Sequence, residues 1–536
     1  MTGWNRRQFL RNLALTSGAV AGGLALTACG GDDDDSTDSS TAPSTGSGGT
    51  QPATSGSAGG AGKTGTLTIG NSEGNPEHLD LLLTPAFVTR QNVGACHAFL
   101  VGLAVDNSLV PEVATEWEIV DDVTIKFTIR QGITFHHGRA IVASDVVKTY
   151  EHVLNPDTGS TFRDTLATAL KSIEAPDDTT VIAHLTGPFP AFIALASQIP
   201  IYPMEVVEEQ GDMRTNVVGA GPFVFKEWQK DNFCQLEAYD GYWDADVPAI
   251  ATIRVLPRSD SNALRSGFVA DETNVVFNYR FTDKQAIEDA DGTAEQVKLY
   301  GFQFVVMNTT QPPFDNVALR QAVLKATDRA ALAAAAQGPD TPVADILIPK
   351  SAPQYPTDIE PWALDVEGAK QLIDDNGLAG TEVKVLIVDL PFARPYGPVM
   401  QANLEAIGLK PGVDIRAVAD FLDQVYTNKT YQLGLTGDAS PPDPSLFLNR
   451  YLTSTGSTAV TNFANTELDE LLAKAGTLYD DAERAALYLD AMKLVNEQAP
   501  AFPLFENVAT TAYKKNVSGW GVKSNADFDV AKVTIS

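Results

Sequence analysis

The chain has 536 residues, a formal charge of −30 at neutral pH and 44% hydrophobic residues. An acidic excess of that size excludes the basic footprint that nucleic-acid binding demands, while the hydrophobic content is that of a globular protein. The length exceeds one ordinary domain, so two or more lobes are expected.

In chain order, Arg6-Arg7-Gln8-Phe9-Leu10-Arg11 precedes an uncharged run from Leu13 to Thr27. That run is too short and too weakly apolar to span a bilayer and reads as a signal-peptide core. The paired arginines resemble a twin-arginine export signal. Leu26-Thr27-Ala28-Cys29-Gly30 resembles a bacterial lipobox, which implies a signal peptide over 1–28 and acylation of Cys29. Acyl chains on that cysteine would anchor a soluble body to the membrane. Residues 29–65 are acidic and rich in Gly and Ser, the composition of a disordered linker. Asp32 to Asp35 within it read as solvated carboxylates rather than a cation site. These features place the protein at the outer face of the bacterial cytoplasmic membrane, on the periplasmic side of the cell envelope. Cys96 and Cys234 remain; an exported chain permits a disulfide between them, and two buried thiols fit equally well.

The folded body opens with a short strand at Leu67-Thr68-Ile69-Gly70, followed by a loop with Glu73, Asn75 and Pro76. Val123 to Arg130 alternates strictly between apolar and polar residues, the period of a half-buried strand. A second short strand is expected through Phe135. Ser144 is placed to cap a helix carrying Val146, Val147, Tyr150, Val153 and Leu154, which Asn155-Pro156 ends. Further strands are expected at Val181–Leu185, Phe223–Trp228, Phe302–Met307 and Val383–Val388. Asp315-Asn316 precede the helical stripe Leu319, Ala322, Val323 and Ala326. Thr466 and Asp469 form a capping-box-like start, and a long helix runs from about Asp481 to Gln498, ahead of Pro500. Mixed strands and helices without a regular repeat indicate an α/β body of mixed α+β character.

Four stretches then stand in order. Val110-Pro111-Glu112-Val113-Ala114-Thr115-Glu116-Trp117 leads through the alternating strand to Gly132-Ile133-Thr134-Phe135-His136-His137-Gly138. Val218-Gly219-Ala220-Gly221-Pro222-Phe223 follows, then Tyr239-Asp240-Gly241-Tyr242-Trp243. Met307-Asn308-Thr309-Thr310-Gln311-Pro312-Pro313-Phe314 comes next. Asn462-Phe463-Ala464-Asn465 and Ala499-Pro500-Ala501-Phe502-Pro503-Leu504 close the set. Together they resemble the family 5 solute-binding proteins of peptide, nickel and related importers. The resemblance implies a two-lobed periplasmic-binding-protein-like fold with the ligand cleft between the lobes. Lobe I would comprise 66–302 and 506–536, with an extra subdomain at about 92–215, and lobe II 303–505. It also implies hinge closure on a small solute, delivery to ABC permease subunits in the membrane, and a monomer.

Matched position by position, the resemblance nominates Asn75, Phe162, Phe277, Asn278 and Tyr279 on the first lobe. On the second it nominates Gly437, Asp438 and Ser440, with Phe505 and Glu506 near the last crossover. Peptide binders of the family carry an aspartate near Ser440 that pairs with the free α-amino group, a charge-assisted bond. Here the stretch reads Thr436-Gly437-Asp438-Ala439-Ser440-Pro441-Pro442-Asp443, and Asp438 would compensate only if its carboxylate faces the cleft. Peptide is therefore the default cargo, with oligosaccharide, opine-like and metal-chelate ligands, or a ligand-sensing receptor role, as alternatives.

No His-Glu-x-x-His motif and no catalytic cysteine context occurs, and six histidines give little to build a base from, so a secreted hydrolase is not expected. His136-His137 is not read as a metal site, because neighbouring side chains on extended backbone point to different sides. The Gly219 run lacks the lysine and helix of a phosphate cradle. No cofactor and no metal are expected.

Overall fold

A computed structural model describes residues 63–390, 392–438, 442–456 and 459–536. The export signal, Cys29, nearly all of the linker and Ser440 lie outside these residues.

Ten strands make one mixed sheet through the whole body. Fourteen strands of this sheet and a smaller one follow in chain order. They are β1 (Thr66–Asn71), β2 (Ala114–Asp121), β3 (Thr124–Ile129), β4 (Leu170–Asp177), β5 (Thr180–Leu185), β6 (Phe223–Gln229) and β7 (Phe233–Ala238). Then come β8 (Thr252–Pro257), β9 (Val275–Phe277), β10 (Gly292–Met307), β11 (Glu382–Val388), β12 (Lys410–Arg416), β13 (Leu433–Asp438) and β14 (Ala501–Lys514). The large sheet has the order β12-β11-β13-β10-β14-β9-β1-β8-β7-β6. Its two long central strands, β10 and β14, join the lobes. The 292–298 end of β10 pairs with 508–514, and its 302–306 end pairs with 501–506.

A second sheet, β2-β3-β5-β4, carries its own core. Ile125 and Phe127 are fully buried and Ile129 nearly so, as the alternation requires. They pack with Tyr150, Val181 and Phe192 beneath α1 (Ala143–Leu154). Ser144 is not the cap of this helix. The backbone breaks from helical geometry at Val142, and the Asp145 carboxylate reaches back to the Val142 amide at 2.9 Å. Arg139 clamps the same carboxylate through two bonds of 2.9 Å. The expected strand through Phe135 reduces to one bridge, Thr134 to Ala140, because Phe135 closes a tight turn onto the Arg139 carbonyl.

Gly219 and Gly221 hold this unit to the large sheet. A Cβ at either position would collide with the carbonyl of Cys96 or Ala95. The run is thus a close backbone approach. His136 and His137 diverge: His136 Nε2 donates to the Gly221 carbonyl at 3.1 Å, whereas His137 meets Glu205 at 2.9 Å. Cys96 and Cys234 are both buried and both free.

In the second lobe, α2 (Val317–Ala326) is capped by Asn316, which accepts from the Ala318 amide at 2.8 Å. Helix α3 (Tyr396–Ala406) covers β11 and β12, and α4 (Pro444–Tyr451) follows β13. Helix α5 (Thr466–Ala475) is capped by Asn465, one residue earlier than the capping-box reading. The Asp469 carboxylate binds Ser454 instead of returning to the helix start. Helix α6 (Asp481–Gln498) has the expected span and ends where Ala499 turns left-handed before Pro500.

Candidate functional site

The topology brings two sets of strand ends to one stretch of the central strands. Strands β1, β8 and β9 run in one direction and β11, β12 and β13 in the other, because β14 is antiparallel to β9 and β10, and β10 is antiparallel to β13. On β14 the end of β9, Phe277, lies opposite Thr511. The end of β13, Asp438, lies beside Phe302 of β10 and so at the level of Glu506. The carboxyl ends of both sets of parallel strands therefore approach one stretch of the crossover from opposite sides. Five residues at about 3.3 Å each separate them, roughly 16 Å. Ligands of open α/β sheets bind outside such strand ends.

The first-lobe margin is built by the turns after β1 and β9. Ser72 donates its amide to the Phe277 carbonyl at 3.3 Å and its hydroxyl to the Asn278 carbonyl at 2.8 Å. Asn278 has a φ of 58°, in the left-handed region that asparagine tolerates, and its amide binds Thr510 at 2.6 Å. Its side chain donates to the Glu73 carboxylate at 2.8 Å. Burial pushes the Glu73 carboxyl above its ordinary value, and the bond from Asn278 pulls in the opposite sense. Asn75 turns toward the β6–β7 hairpin and exchanges two bonds with Asp231, at 2.6 and 2.9 Å. The Phe277 ring is buried edge-to-face against Phe528. Tyr279 is nearly buried and receives the Thr510 hydroxyl on its carbonyl. Phe162 packs against the core of the small sheet.

The second-lobe margin centres on Asp438. Its side chain is 7% exposed, lies 3.3 Å from Arg450 and receives the Tyr451 hydroxyl. Helix α4 thus turns both partners back onto the end of β13. The Asp438 carbonyl accepts from Asn507 at 2.8 Å, and the Asn507 side chain in turn accepts from Gln303 at 3.0 Å. Gly301, φ 120°, leaves room for that carbonyl; a Cβ there would collide with it. Gly437 likewise lies against the Gln303 side chain. Glu506 is buried between Lys298, at 3.3 Å, and the Lys350 amide, at 3.2 Å. Phe505 is fully buried beside Tyr396. Arg394, after β11, pairs with Asp389 at 2.6 Å.

The structure thus brings Asn278, Asp438, Gly437 and Glu506 to the two margins and the crossover between them. It gives the Phe162, Phe277 and Phe505 rings packing positions and ties Asn75 to a hairpin. Glu73, Gln303, Arg450 and Tyr451 were missed by sequence reasoning. Glu73 carried the one usable signal, a carboxylate in the turn after the first strand; the other three are recognisable only once strand pairing is known.

The family model for bacterial extracellular solute-binding proteins, family 5, matches residues 108–459. A probable di/tripeptide-binding protein of Pseudomonas aeruginosa is 26% identical over 468 residues, 80% of this chain and 87% of that one. Heme-binding protein A of Haemophilus influenzae is 28% identical over 458 residues, 78% and 82% of the two chains. Among solved structures, the PBP AgaA from A. tumefaciens R10, in complex with agropinic acid, aligns with a TM-score of 0.72 at 25% identity. It covers 88% of this chain and 99% of AgaA.

Proposed function

The chain belongs to the bacterial extracellular solute-binding proteins, family 5, the binding components of ABC importers, and on that premise we propose that it captures a peptide or peptide-like solute between the two margins. It holds the solute without transforming it and presents it, by hinge closure about β10 and β14, to a membrane permease. The observation that carries this reading is the convergence of both sets of strand ends on residues 506–511 of the crossover. Loops at these ends would meet a solute from both lobes, so that binding favours the closed arrangement.

The lobe limits at 66–302 with 506–536 and at 303–505, and the subdomain at about 92–215, belong to this proposal. So do contacts from Asn278, Tyr279, Gly437, Asp438 and Ser440, a monomeric state, and a twin-arginine-exported lipoprotein anchored by Cys29 at the outer face of the cytoplasmic membrane. A second reading, a non-peptide solute of opine-like kind, is favoured by the engagement of Asp438 with Arg450 and Tyr451. A carboxylate already matched by an internal cation offers less to an α-amino group.

Small-angle scattering tests the proposal. Addition of a tryptic peptide pool should lower the radius of gyration of the chain, whereas an unchanged radius with peptide pools and opines alike would refute capture by closure.

A further inference from the structure

We propose that Glu73 is the residue that receives a positively charged group of the solute, an ammonium or a guanidinium, and that it does so from the first lobe. The inference rests on the capture reading above and deepens it by naming the charge of the ligand.

The argument is one of charge accounting around the crossover. Three acids near it have internal cations: Asp438 has Arg450 at 3.3 Å, Glu506 has Lys298 at 3.3 Å, and Asp389 has Arg394 at 2.6 Å. Among the described residues Glu73 has no lysine, arginine or histidine partner. Its single side-chain bond comes from the neutral Asn278 amide at 2.8 Å. The carboxylate is half-buried and still reachable from solvent, and a ligand cation would supply the missing charge through a charge-assisted bond.

The residue is also held in place. Its amide is fixed by Asn71 at 3.0 Å, and the neighbouring Ser72 is tied to both Phe277 and Asn278. Asn278 is anchored to Thr510 on the crossover itself. The carboxylate thus stands at the first-lobe margin on backbone that binding need not reorganise, the arrangement that keeps the entropy cost of recognition low. The rise in its carboxyl pKa on burial is consistent with a site awaiting a cation. A purely structural role, bracing the left-handed turn at Asn278, requires only a hydrogen-bond acceptor, which glutamine also provides.

The test is capture from yeast extract by the full-length chain and by Glu73→Gln, followed by release and mass identification of the bound solutes. Solutes held by the unmodified chain should carry an amine or guanidine. Glu73→Gln should retain them roughly 10- to 100-fold less, while its melting temperature stays within about 2 °C. Glu73→Asp should retain part of the binding. Capture by the unmodified chain should weaken on acidification as Glu73 takes up a proton, and capture by Glu73→Gln should show no such step. Captured solutes without a cationic group, or equal retention by Glu73→Gln, would overturn the proposal alone. Capture of nothing by either protein would overturn the solute-binding reading together with it.

Discussion

Replacing Asp443 with alanine should strike the second lobe harder than any other single change near the site. Asp443 has two tasks. It caps α4, accepting from the Ser445 amide at 2.9 Å, and it neutralises Arg484 at 2.7 Å. The two side chains are 6% and 2% exposed. Burial works against the Arg484 charge, and the Asp443 carboxylate more than restores it. Removing one member of such a buried pair costs about 3–5 kcal/mol, because Arg484 keeps only the more distant and half-exposed Asp481 carboxylate, at 3.9 Å. The lost cap adds about 1 kcal/mol. For a cooperative unit of about 200 residues that is a fall in melting temperature of roughly 8–24 °C. Differential scanning calorimetry would measure it. The double variant Asp443→Ser/Arg484→Met, which keeps a cap and removes both charges, should recover at least about 2 kcal/mol. A loss below about 1 kcal/mol for Asp443→Ala, or no recovery in the double variant, would refute the reasoning.

Gly219→Ala and Gly221→Ala should each cost about 1–3 kcal/mol in urea unfolding, since the added methyl meets backbone that cannot turn aside. His97 is buried against Tyr202 with both ring nitrogens unbonded among the described residues, and burial holds its pKa at about 3. The unfolded chain therefore binds more protons between about pH 6.5 and 3, so His97 subtracts stability as pH falls through that window. His97→Phe should keep the stacking and flatten the acid side of the urea midpoint against pH. Glu112 acts with the opposite sign. Burial raises its pKa to about 7, so the folded state binds the extra proton and stability falls as pH rises from about 4.5 to 7. Glu112→Gln should remove that decline, up to about 3 kcal/mol. Burial raises the thiol pKa of both Cys96 and Cys234, the latter to about 12. Both should resist a thiol reagent in the folded chain and react on unfolding.

The elements best read from the sequence were those whose pattern is local. The alternation of β3 and the proline-bounded span of α6 correspond closely to the structure, because spacing and end signals decide them. The first half of β10 escaped, since residues 292–298 are mixed in polarity and gain strand geometry only by pairing with β14. The caps at Val142 and Asn465 show the same limit: several polar residues near a helix start compete, and tertiary partners choose among them. Arg139 draws Asp145 into the first turn of α1, and Ser454 takes Asp469 away from the start of α5. At the candidate site, the resemblance pointed to loops at the strand ends, yet the side chains that set their charge were hidden. Nothing local indicates that Arg450, twelve residues beyond Asp438, folds back across α4 to reach it.

Hydrogen–deuterium exchange of the full-length chain, with and without a solute retained from yeast extract, tests the central claim most directly. Slowed exchange should fall on residues 72–76, 278–280, 389–394 and 436–443 and on the crossover around 299–303 and 506–510, with little change in the β6–β7 hairpin. Protection confined to the small-sheet unit, or spread evenly over the chain, would contradict a solute site between the two sets of strand ends.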